Sequence, residues 1–394
     1  MAGCFWYDEG SMAKKVMNPW KQKLNALKFV LDRIRKVWKR DATPKNLFIL
    51  AGGIFLLTGI IAVSMAIQRV WNMDVKVQGI GDEAAAVFVP IVNRHPLTGE
   101  ILPEPLKVLP QVFGIMIENS ADAWPLSGLD QAFLVIEAPV EGNIPRFIAF
   151  FSEDQDVKKI GPVRSARPYY LEWNAEFNGI YGHVGGSPEA LDDIAKQGTL
   201  DLNQFFQSEY YYRDERTRYA PHNVYTTMDD LKNATIEIDE KYKDSAAPKY
   251  DSWSFTDGVS ASSMAGETSI LWGNGYDIRW NYDPATNMYH RSQGGNTYTA
   301  NNIVIIATDI GIIPGDEKGR RTVRTLGEGA VTILKNGTRN SAPWTWKKTS
   351  ASDRMRFYDE TGKEVTMNAG KTWIEVVDDL ERVDPPFEGG FGGD

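Results

Sequence analysis

The stretch AFLVIEAPVEGNIPRFIAFF, residues 132–151, holds two apolar runs separated by a short polar turn. Each run has the length of an ordinary strand and is rich in β-branched and aromatic residues. Strands are therefore predicted over 132–137 and 144–151. A third apolar run, Val112–Ile117, precedes them and is also predicted as a strand. Together these runs indicate a domain built on a sheet.

Helix and strand signals alternate after this stretch. A helical pattern is predicted over 164–177 and a strand over 179–184. Ser187 can cap a helix whose first turn begins with Pro188. Such a mixture predicts an α/β domain over 111–250.

The sequence pattern changes at about Ser269. From there, short alternating segments rich in Trp, Tyr, Val and Ile are separated by turn signals. Among these signals, Asn336-Gly337 strongly indicates a hairpin. A small antiparallel β domain is predicted over 265–378, and the glycine-rich end, 379–394, is predicted to be a flexible tail. The predicted fold class is α+β: a mixed α/β domain and then a small antiparallel β domain, preceded by one transmembrane helix.

An unbroken apolar run, LFILAGGIFLLTGIIAVSMAI at 47–67, carries no charged side chain. It is long enough to cross a lipid bilayer once, so a transmembrane helix is predicted over 46–68. Eleven Lys or Arg residues against two acids lie between Lys14 and Lys45. The positive-inside rule then places the N-terminus in the cytoplasm and the C-terminal domains outside the cell membrane. The alternative is a cleaved signal peptide, whose apolar region is shorter and closer to the N-terminus.

The basic segment within 1–45 is predicted to form a cytoplasmic amphipathic helix. Apolar residues from Trp20 to Trp38 recur at alternating spacings of four and three, which places them on one face. Residues 18–40 could then contact anionic lipid or a cytoplasmic partner. The alternative is a surface helix that only enforces topology. After the apolar run, 69–110 is predicted to be a Pro-rich, extended, extracytoplasmic spacer.

Composition limits the partners of the exported part. The chain has 394 residues and a net charge of −9, and because its N-terminal segment is basic, the exported part is strongly acidic. Such a surface repels phosphate backbones, so no nucleic-acid partner is expected. The single cysteine is Cys4, which leaves the exported part without disulfides or thiolate metal sites. No cofactor is expected.

A series of motifs in a fixed order resembles one bacterial family. The motifs are GIMIENS (114–120), SGLDQAFLVIEAPVEGNIPRFIAFF (127–151), IGPVRSARPYY (160–170), YGHVGGSPEAL (181–191), RYAPHNVYT (218–226), NNIVI (301–305), GEGAVTILKNG (327–337) and GKEVTMNAGKTWIEVV (362–377). From 96 to 377 the chain is similar to the YerB-like family of bacterial envelope proteins, often described as lipoproteins. The family has an N-terminal and a C-terminal domain of unknown function (DUF3048). This resemblance implies a location and an architecture but no reaction.

Two features depart from the family pattern. Many relatives look like lipoproteins, whereas this chain has a predicted transmembrane helix and a basic cytoplasmic segment. EGNIPR at 141–146 replaces the usual Glu-Gly-Gly-Ile-Thr-Arg. The resemblance therefore assigns no role to this loop.

Arginines stand inside these motifs in an acidic protein. A planar guanidinium matches phosphate or carboxylate, which suggests an anion-binding pocket. Two glycines and a helix start lie near them in sequence, and the free N–H groups of a helix start favour an anion. Two histidines could donate hydrogen bonds or act as acid or base. The candidate anion-binding residues are Arg146, Arg164, Arg167, His183, Gly185, Gly186, Ser187, Arg218 and His222.

A structural role is the alternative for the same residues. Arg164 and Arg167 can pair inside the fold with one of three nearby acids, which are Glu118, Glu137 and Glu141. His183 can equally be a satisfied core residue. His183, His222 and a carboxylate could in principle hold zinc, but no HExxH or comparable spacing supports it. No metal site is predicted.

The sequence offers no recognisable catalytic motif. Gly370-Lys371-Thr372 resembles a phosphate loop, but Val365 stands where that motif needs glycine, so a hairpin is predicted. No Gly-x-Ser-x-Gly nucleophile elbow occurs. The tryptophans of the predicted β domain could stack on sugars, although core packing explains them more simply.

These observations are compatible with three hypotheses about function. The first is a non-enzymatic envelope module that contacts the lipid bilayer through 47–67 and binds a cell-wall polymer or an envelope protein. The alternative is an enzyme that acts on a phosphorylated or pyrophosphate-linked envelope precursor through an arginine-lined pocket. Its layout is loosely similar to that of the LytR–CpsA–Psr phosphotransferases. The third is a scaffold whose cytoplasmic helix contacts an intracellular partner.

Overall fold

The computed structural model describes residues 92–260 and 266–384, which fall within one compact unit. Within those residues, no helix is long and apolar enough to cross a membrane. The predicted segments 1–45 and 46–68 lie outside the described residues, and 69–110 and 379–394 lie partly outside them.

The first half of the described chain contains three α-helices, several short 3-10 turns and seven strands. The helices are α1 (Pro168–Asn174), α2 (Pro188–Gln197) and α3 (Met228–Tyr242). The strands are β1 (Val112–Ile117), β2 (Leu134–Pro139), β3 (Pro145–Ser152), β4 (Ile180–His183), β5 (Asp201–Asn203), β6 (Tyr212–Arg213) and β7 (Val224–Tyr225).

The second half of the described chain is made of strands. They are β8 (Phe255–Thr256), β9 (Thr268–Ile270), β10 (Ile278–Asp283), β11 (Met288–Gln293), β12 (Asn296–Ala300), β13 (Asn302–Ala307), β14 (Ile310–Ile312), β15 (Arg321–Val323), β16 (Gly327–Lys335), β17 (Thr338–Arg339), β18 (Trp344–Lys348), β19 (Arg356–Tyr358), β20 (Met367–Asn368), β21 (Thr372–Val377) and β22 (Val383–Asp384).

One large mixed sheet runs through the described part of the chain. Its order is β19-β18-β16-β13-β21-β2-β3-β1-β4-β5, with β17 beside β16. Neighbours pair in parallel from β13 through β21 to β2, and again from β1 through β4 to β5. Because β3 lies antiparallel between β2 and β1, all six of these strands point the same way. Their carboxyl ends therefore meet at one edge, named the carboxyl edge.

The predicted fold class agrees with this mixture of helices and strands, but the predicted β domain is not a separate antiparallel sheet. Strands β13 and β21 pair in parallel, and β21 pairs in parallel with β2, so both predicted domains contribute to one sheet. Strands β2 and β21 are buried along their whole length, as central parallel strands are. A local sequence pattern shows that such a strand is buried but not which strand lies beside it. The smaller five-stranded sheet, β12-β11-β10-β9-β22, is antiparallel, as predicted.

The predicted hairpin at Asn336-Gly337 is confirmed. Lys335 pairs with Thr338 across a two-residue turn. Asn336 and Gly337 have φ of +55° and +73°. Positive φ at both central residues is what a type I′ turn requires.

The helix predicted over 164–177 starts too early. Helix α1 begins at Pro168, and Arg167 before it is extended, with φ −136° and ψ 151°. A proline ring disfavours the helical conformation of the residue that precedes it. Residues 160–166 are consequently an extended segment that bridges to β1 and to the start of α2.

Three predictions about chain segments also differ from the structure. Gly370 is not part of a hairpin, because β20 pairs with β8 while β21 joins the large sheet. The predicted spacer already packs on the domain at its end, since His95 and Leu97 are buried. The predicted tail begins too early, because β22 pairs with β9 and buries Val383. In each case tertiary packing orders a segment whose local sequence shows no periodicity.

The large sheet separates two apolar cores. One face packs under α3 and the smaller sheet, with Trp280 and Trp373 among its buried side chains. The other face packs under α1 and α2, with Tyr170 and Trp173 at its centre. This two-sided burial leaves the ends of the strands as the surface on which a site can be built.

Candidate functional site

Several predicted site residues meet at the carboxyl edge. Arg146 lies there because β3 runs antiparallel to β1 and begins where β1 ends. The extended segment 160–166 runs past the same ends, since Arg164 N–H donates to the Met116 carbonyl at 2.9 Å. In open α/β sheets the crevice outside this edge is the usual ligand site.

Arg146 is the buried cation of this group. The residue is only 8% exposed, and its Nη1 donates to the Ser165 carbonyl at 3.0 Å. Among the described residues, no carboxylate oxygen lies within 4.0 Å of its guanidinium. Burial lowers the pKa of Arg146, and the neighbouring charges of Arg167 and Arg164 lower it further. Glu141 acts on this charge only from beyond ion-pair distance, so no direct contact with a carboxylate balances it.

Arg167, by contrast, is fully paired. Its Nε and Nη2 donate to the two carboxylate oxygens of Glu141, each at 2.8 Å, and its Nη1 donates to the Ala166 carbonyl at 2.6 Å. Burial by itself would raise the pKa of Glu141, but the hydrogen bonds from Arg167 lower it below its usual value. For this arginine the pairing that the structural alternative predicts is present.

Glu118 joins Arg164 to His222. Arg164 Nε lies 3.2 Å and His222 Nδ1 3.0 Å from the same oxygen, Oε2 of Glu118. Ser120 Oγ donates to the other carboxylate oxygen at 2.8 Å and lies 3.5 Å from His222 Nδ1. In a serine hydrolase the acid and the serine contact opposite nitrogens of the histidine. Here both contact Nδ1, so the arrangement is not a Ser–His–acid relay.

His183 and Arg218 do not join this group. His183 is fully buried, with Nδ1 2.7 Å from the Gly185 carbonyl and Nε2 2.8 Å from Oδ1 of Asp201. Arg218 donates to the Tyr225 hydroxyl at 2.5 Å and to the Pro125 carbonyl at 2.7 Å. Both side chains are held by partners within the fold.

The helix start at Ser187 lies beside the arginines, but several N–H donors around it already have partners within the fold. Gly185 N–H donates to Oδ1 of Asn203 at 3.1 Å, and Ser187 N–H donates to the Ala166 carbonyl at 3.2 Å. Ser187 Oγ accepts from Ala190 N–H at 3.2 Å and so caps α2, as predicted. Because Gly186 sits against Ala166, this loop positions the arginine-bearing segment.

Arg320 reaches the same edge and is absent from the sequence predictions. Its Nε lies 3.9 Å from Oε1 of Glu141, and its Nη1 pairs with Asp316. The run GDEKGRRTVR at 315–324 is typical of a solvated charged turn, and nothing local shows that it meets β2. Four arginines, Arg146, Arg164, Arg167 and Arg320, together with Glu118 and Glu141, make up the arginine cluster.

Arg321, next in the chain, was also missed. Among the described residues, its guanidinium makes no hydrogen bond or ion pair. Burial raises the pKa of Tyr169, and the charges of Arg146, Arg167 and Arg321 oppose that rise. The charge of Arg321 therefore acts on the same tyrosine as the charges of Arg146 and Arg167.

Neither metal binding nor sugar stacking is supported by the geometry. In residues 92–260 and 266–384, no three His, Cys, Asp or Glu side chains lie together as a metal ion needs. The tryptophans of the predicted β domain are mostly in the core: Trp272, Trp280, Trp346 and Trp373 are buried, and Trp344 is half-buried. Core packing accounts for them, as the simpler explanation predicts.

Comparison with known proteins places the chain in a family. Residues 97–241 match the N-terminal domain, and residues 268–374 the C-terminal domain, of the family described as "Protein of unknown function (DUF3048)". A relative described as "Putative lipoprotein YerB", from Bacillus subtilis (strain 168), is 30% identical over 280 residues, which span 68% of this chain and 81% of the relative. The crystal structure of the YerB protein from Bacillus subtilis matches with a TM-score of 0.63 and 28% identity, covering 74% of this chain and 98% of that chain. The chain therefore belongs to the YerB-like family, which is defined by the N- and C-terminal DUF3048 domains.

Proposed function

We propose that the protein is a cell-envelope binding module that recognises a phosphate-bearing ligand at the arginine cluster. The observation that carries this proposal is Arg146, a guanidinium that is nearly buried and has no carboxylate partner. A buried charge costs stability unless a counter-charge balances it. An anion arriving at the carboxyl edge supplies that counter-charge, and the guanidinium fork suits phosphate oxygens.

The location rests on the sequence before the described residues. The apolar run at 47–67 and the basic segment before it favour a single-pass protein whose C-terminal domains lie outside the cell membrane. The relative described as a lipoprotein favours the same compartment. A protease added to intact cells should then digest the C-terminal domains and spare the first forty residues. Digestion of the N-terminal segment alone would reverse the orientation.

Binding of pyrophosphate to the full-length protein in detergent tests the proposed ligand class. Calorimetry should show pyrophosphate binding that Arg146→Gln weakens tenfold or more. The control is Arg279→Gln, because this arginine is 71% exposed and lies on the smaller sheet, where it should leave binding unchanged. Equal affinities in wild type and Arg146→Gln would contradict the proposal.

A second candidate function, transfer or hydrolysis of a phosphorylated envelope precursor, is favoured by one contact. His222 shares Glu118 with Arg164, so a possible acid–base group stands next to the arginine cluster. A polyprenyl-pyrophosphate analogue should then release phosphate in the wild type but not in His222→Asn, which should still bind. Absence of release from the wild type would leave the binding module as the function.

A further inference from the structure

Two adjacent phenylalanines are exposed at the carboxyl edge. Phe205 and Phe206 lie on the turn that follows β5, and their exposed fractions are 65% and 79%. Leu191, in the first turn of α2, is also exposed. A single exposed apolar side chain is common on a protein surface, but neighbouring aromatic rings concentrate apolar area in one place. Phe205, Phe206 and Leu191 are named the phenylalanine patch.

Buried polar side chains hold the turn that displays the two rings. Oδ1 of Asn203, which is buried, accepts hydrogen bonds from the N–H groups of Gly185 at 3.1 Å and Phe205 at 3.2 Å. Oε1 of Gln207, also buried, accepts from Asn203 N–H at 3.0 Å. Phe206 N–H donates to the Asn203 carbonyl at 2.9 Å. The fold therefore fixes the backbone of both phenylalanines while it leaves their rings in solvent.

The Gly185-Gly186 segment joins the members of the phenylalanine patch. A Cβ at Gly185 would lie 2.6 Å from the Phe205 ring, and a Cβ at Gly186 would lie 3.2 Å from the Leu191 side chain. Both apolar side chains therefore lie directly against this segment. Glycine at the two positions permits that close approach.

The same glycine segment contacts the part of the chain that carries the arginines. Ala166 N–H donates to the Gly185 carbonyl at 2.9 Å. The residue before it, Ser165, accepts from Nη1 of Arg146 at 3.0 Å. Arg146 has no carboxylate partner in the part of the chain that the structure describes, and it is the anion-binding group of the proposed function. A ligand held there by its phosphate can therefore reach the phenylalanine patch with the group that the phosphate carries.

The chemistry of the phenylalanine patch indicates that this group is a hydrocarbon chain. The side chains of phenylalanine and leucine have neither a hydrogen-bond donor nor an acceptor. Asn203 Oδ1 and Gln207 Oε1 accept hydrogen bonds inside the turn. A sugar or a base is oriented by polar groups as well as by stacking, whereas a hydrocarbon chain needs only apolar surface that both partners remove from water.

We propose that the ligand of the arginine cluster is a phosphate ester of a lipid, whose hydrocarbon chain lies on the phenylalanine patch. This proposal rests on the proposed function, because it names the group attached to the phosphate. The arginine cluster binds the phosphate, and the two phenylalanine rings and Leu191 cover part of the chain. Charge and apolar contact then select the same amphiphile.

Methyl phosphate and hexyl phosphate test the proposal, because they share a head group and differ in chain length. The full-length protein is held in a non-ionic amphipol, so that no free detergent competes for the phenylalanine patch. Calorimetry should show hexyl phosphate binding at least tenfold more tightly than methyl phosphate. Equal affinities for the two esters would overturn the lipid ligand and leave the proposed function standing.

Serine variants locate the chain. Phe206→Ser should lower the affinity for hexyl phosphate towards that for methyl phosphate and leave methyl phosphate binding unchanged, because the ring is exposed and lies outside both cores. The control is Ile236→Ser: Ile236 is 65% exposed on α3, on the other face of the large sheet from α2, so this variant should bind both esters as the wild type does. A full preference for hexyl phosphate in a double variant, Phe205→Ser with Phe206→Ser, would overturn the phenylalanine patch as the site of the chain.

Pyrophosphate separates a failure of this proposal from a failure of the proposed function. Binding of pyrophosphate without binding of either ester would overturn the lipid ligand alone. If none of the three compounds binds, the proposed function and the lipid ligand are both overturned.

Discussion

Arg146 lies in a strand whose other residues are apolar except for Ser152 at its end. Strand β3 alternates between the two cores, and Arg146 points to the same face as Ile148 and Phe150. The backbone carbonyl of Ser165 accepts from it, but a carbonyl supplies no full negative charge. Arg167 lies nearby with the same chemistry and a complete partner in Glu141. The two arginines can therefore be compared directly, because Arg167 has a carboxylate partner and Arg146 has none.

This contrast predicts opposite effects of removing each charge. Arg146→Met should leave the free energy of unfolding unchanged or raise it, because methionine fills similar space without burying a charge. Arg167→Met should lower the free energy of unfolding by about 1–3 kcal/mol, because Glu141 loses its donors. Chemical denaturation without added anion measures both. A loss in Arg146→Met as large as that in Arg167→Met would show that the fold itself balances Arg146.

A histidine–aspartate pair gives the fold a defined sensitivity to acid. His95 Nε2 lies 3.1 Å from Oδ2 of Asp154, while backbone N–H groups of Leu97 and Thr98 donate to Nδ1. The hydrogen bond from His95 is the main cause that lowers the pKa of Asp154 to about 2. Between its usual pKa of about 3.9 and this value, the unfolded chain binds a proton that the native protein does not.

The contribution of Asp154 should therefore be present above pH 4 and disappear as the pH falls towards 2. The difference in the free energy of unfolding between wild type and Asp154→Asn should shrink over that range. Denaturation at a series of pH values from 5 to 2 measures it. If the difference in the free energy of unfolding between the two proteins does not change with pH, the pKa of Asp154 is not lowered in the native protein.

At the scale of helices and strands, a local sequence signal predicts the structure correctly where the interaction that it reflects joins residues close together in the chain. Ser187 caps α2 through a contact three residues away, and Asn336-Gly337 closes a two-residue turn. The start of α1 was misplaced because the effect of Pro168 on Arg167 outweighs the helical periodicity around it. The hairpin also packs against a distant residue, since Gly337 lies against the Tyr282 ring, and the local sequence does not predict this contact.

Gly337 combines a turn requirement with a close approach. Its φ is +73°, and a Cβ at this position would lie 2.4 Å from the Tyr282 ring. Gly362 has a similar φ of +79° but nothing within 4 Å. Both alanine variants incur the strain of a left-handed conformation. Only Gly337→Ala adds a steric clash.

Gly337→Ala should consequently lower the free energy of unfolding by about 1–3 kcal/mol more than Gly362→Ala does. Thermal or chemical denaturation of the two variants gives the difference. Equal losses would mean that the Tyr282 ring moves aside at no cost.

At the scale of the whole molecule, one buried charge cluster ties three parts of the chain together. Arg291 lies on the smaller sheet, and its Nη1 is 2.6 Å from Oε2 of Glu137 on β2 and 3.0 Å from Oε1 of Glu375 on β21. All three side chains are fully buried. Burial, reinforced by the charge of Glu137, raises the pKa of Glu375 well above its usual value. Burial thus favours the neutral form of Glu375, and Glu137 is the nearer carboxylate to Arg291.

The three members of this cluster should respond unequally to substitution. Glu375→Gln should change the free energy of unfolding by less than about 1 kcal/mol, because an amide resembles the neutral carboxyl that burial favours at this position. Arg291→Met should lower it by about 3–5 kcal/mol, because it leaves Glu137 buried without its cation. Both variants should unfold in one transition, since the two family domains share a sheet. Comparable losses in the two variants would contradict a protonated Glu375.

What the sequence determined by itself depends on interactions within a few residues. The mixed fold class, the cap at Ser187, the hairpin at Asn336-Gly337 and the family resemblance all come from local pattern and motif order. The sequence also identified most of the arginines at the carboxyl edge, because three of the four arginines in the arginine cluster lie inside the family motifs.

The tertiary structure alone decided which strands are neighbours and which charges are balanced. Strand β21 lies beside β2, and Arg291 pairs with Glu137. Glu141 pairs with Arg167, so Arg146 has no carboxylate partner. The hydrogen bond from Asn143 to the Trp272 carbonyl likewise exists only because two distant segments of the chain meet. Pairings of this kind depend on distances in space between residues far apart in the chain, and a local pattern carries no record of them.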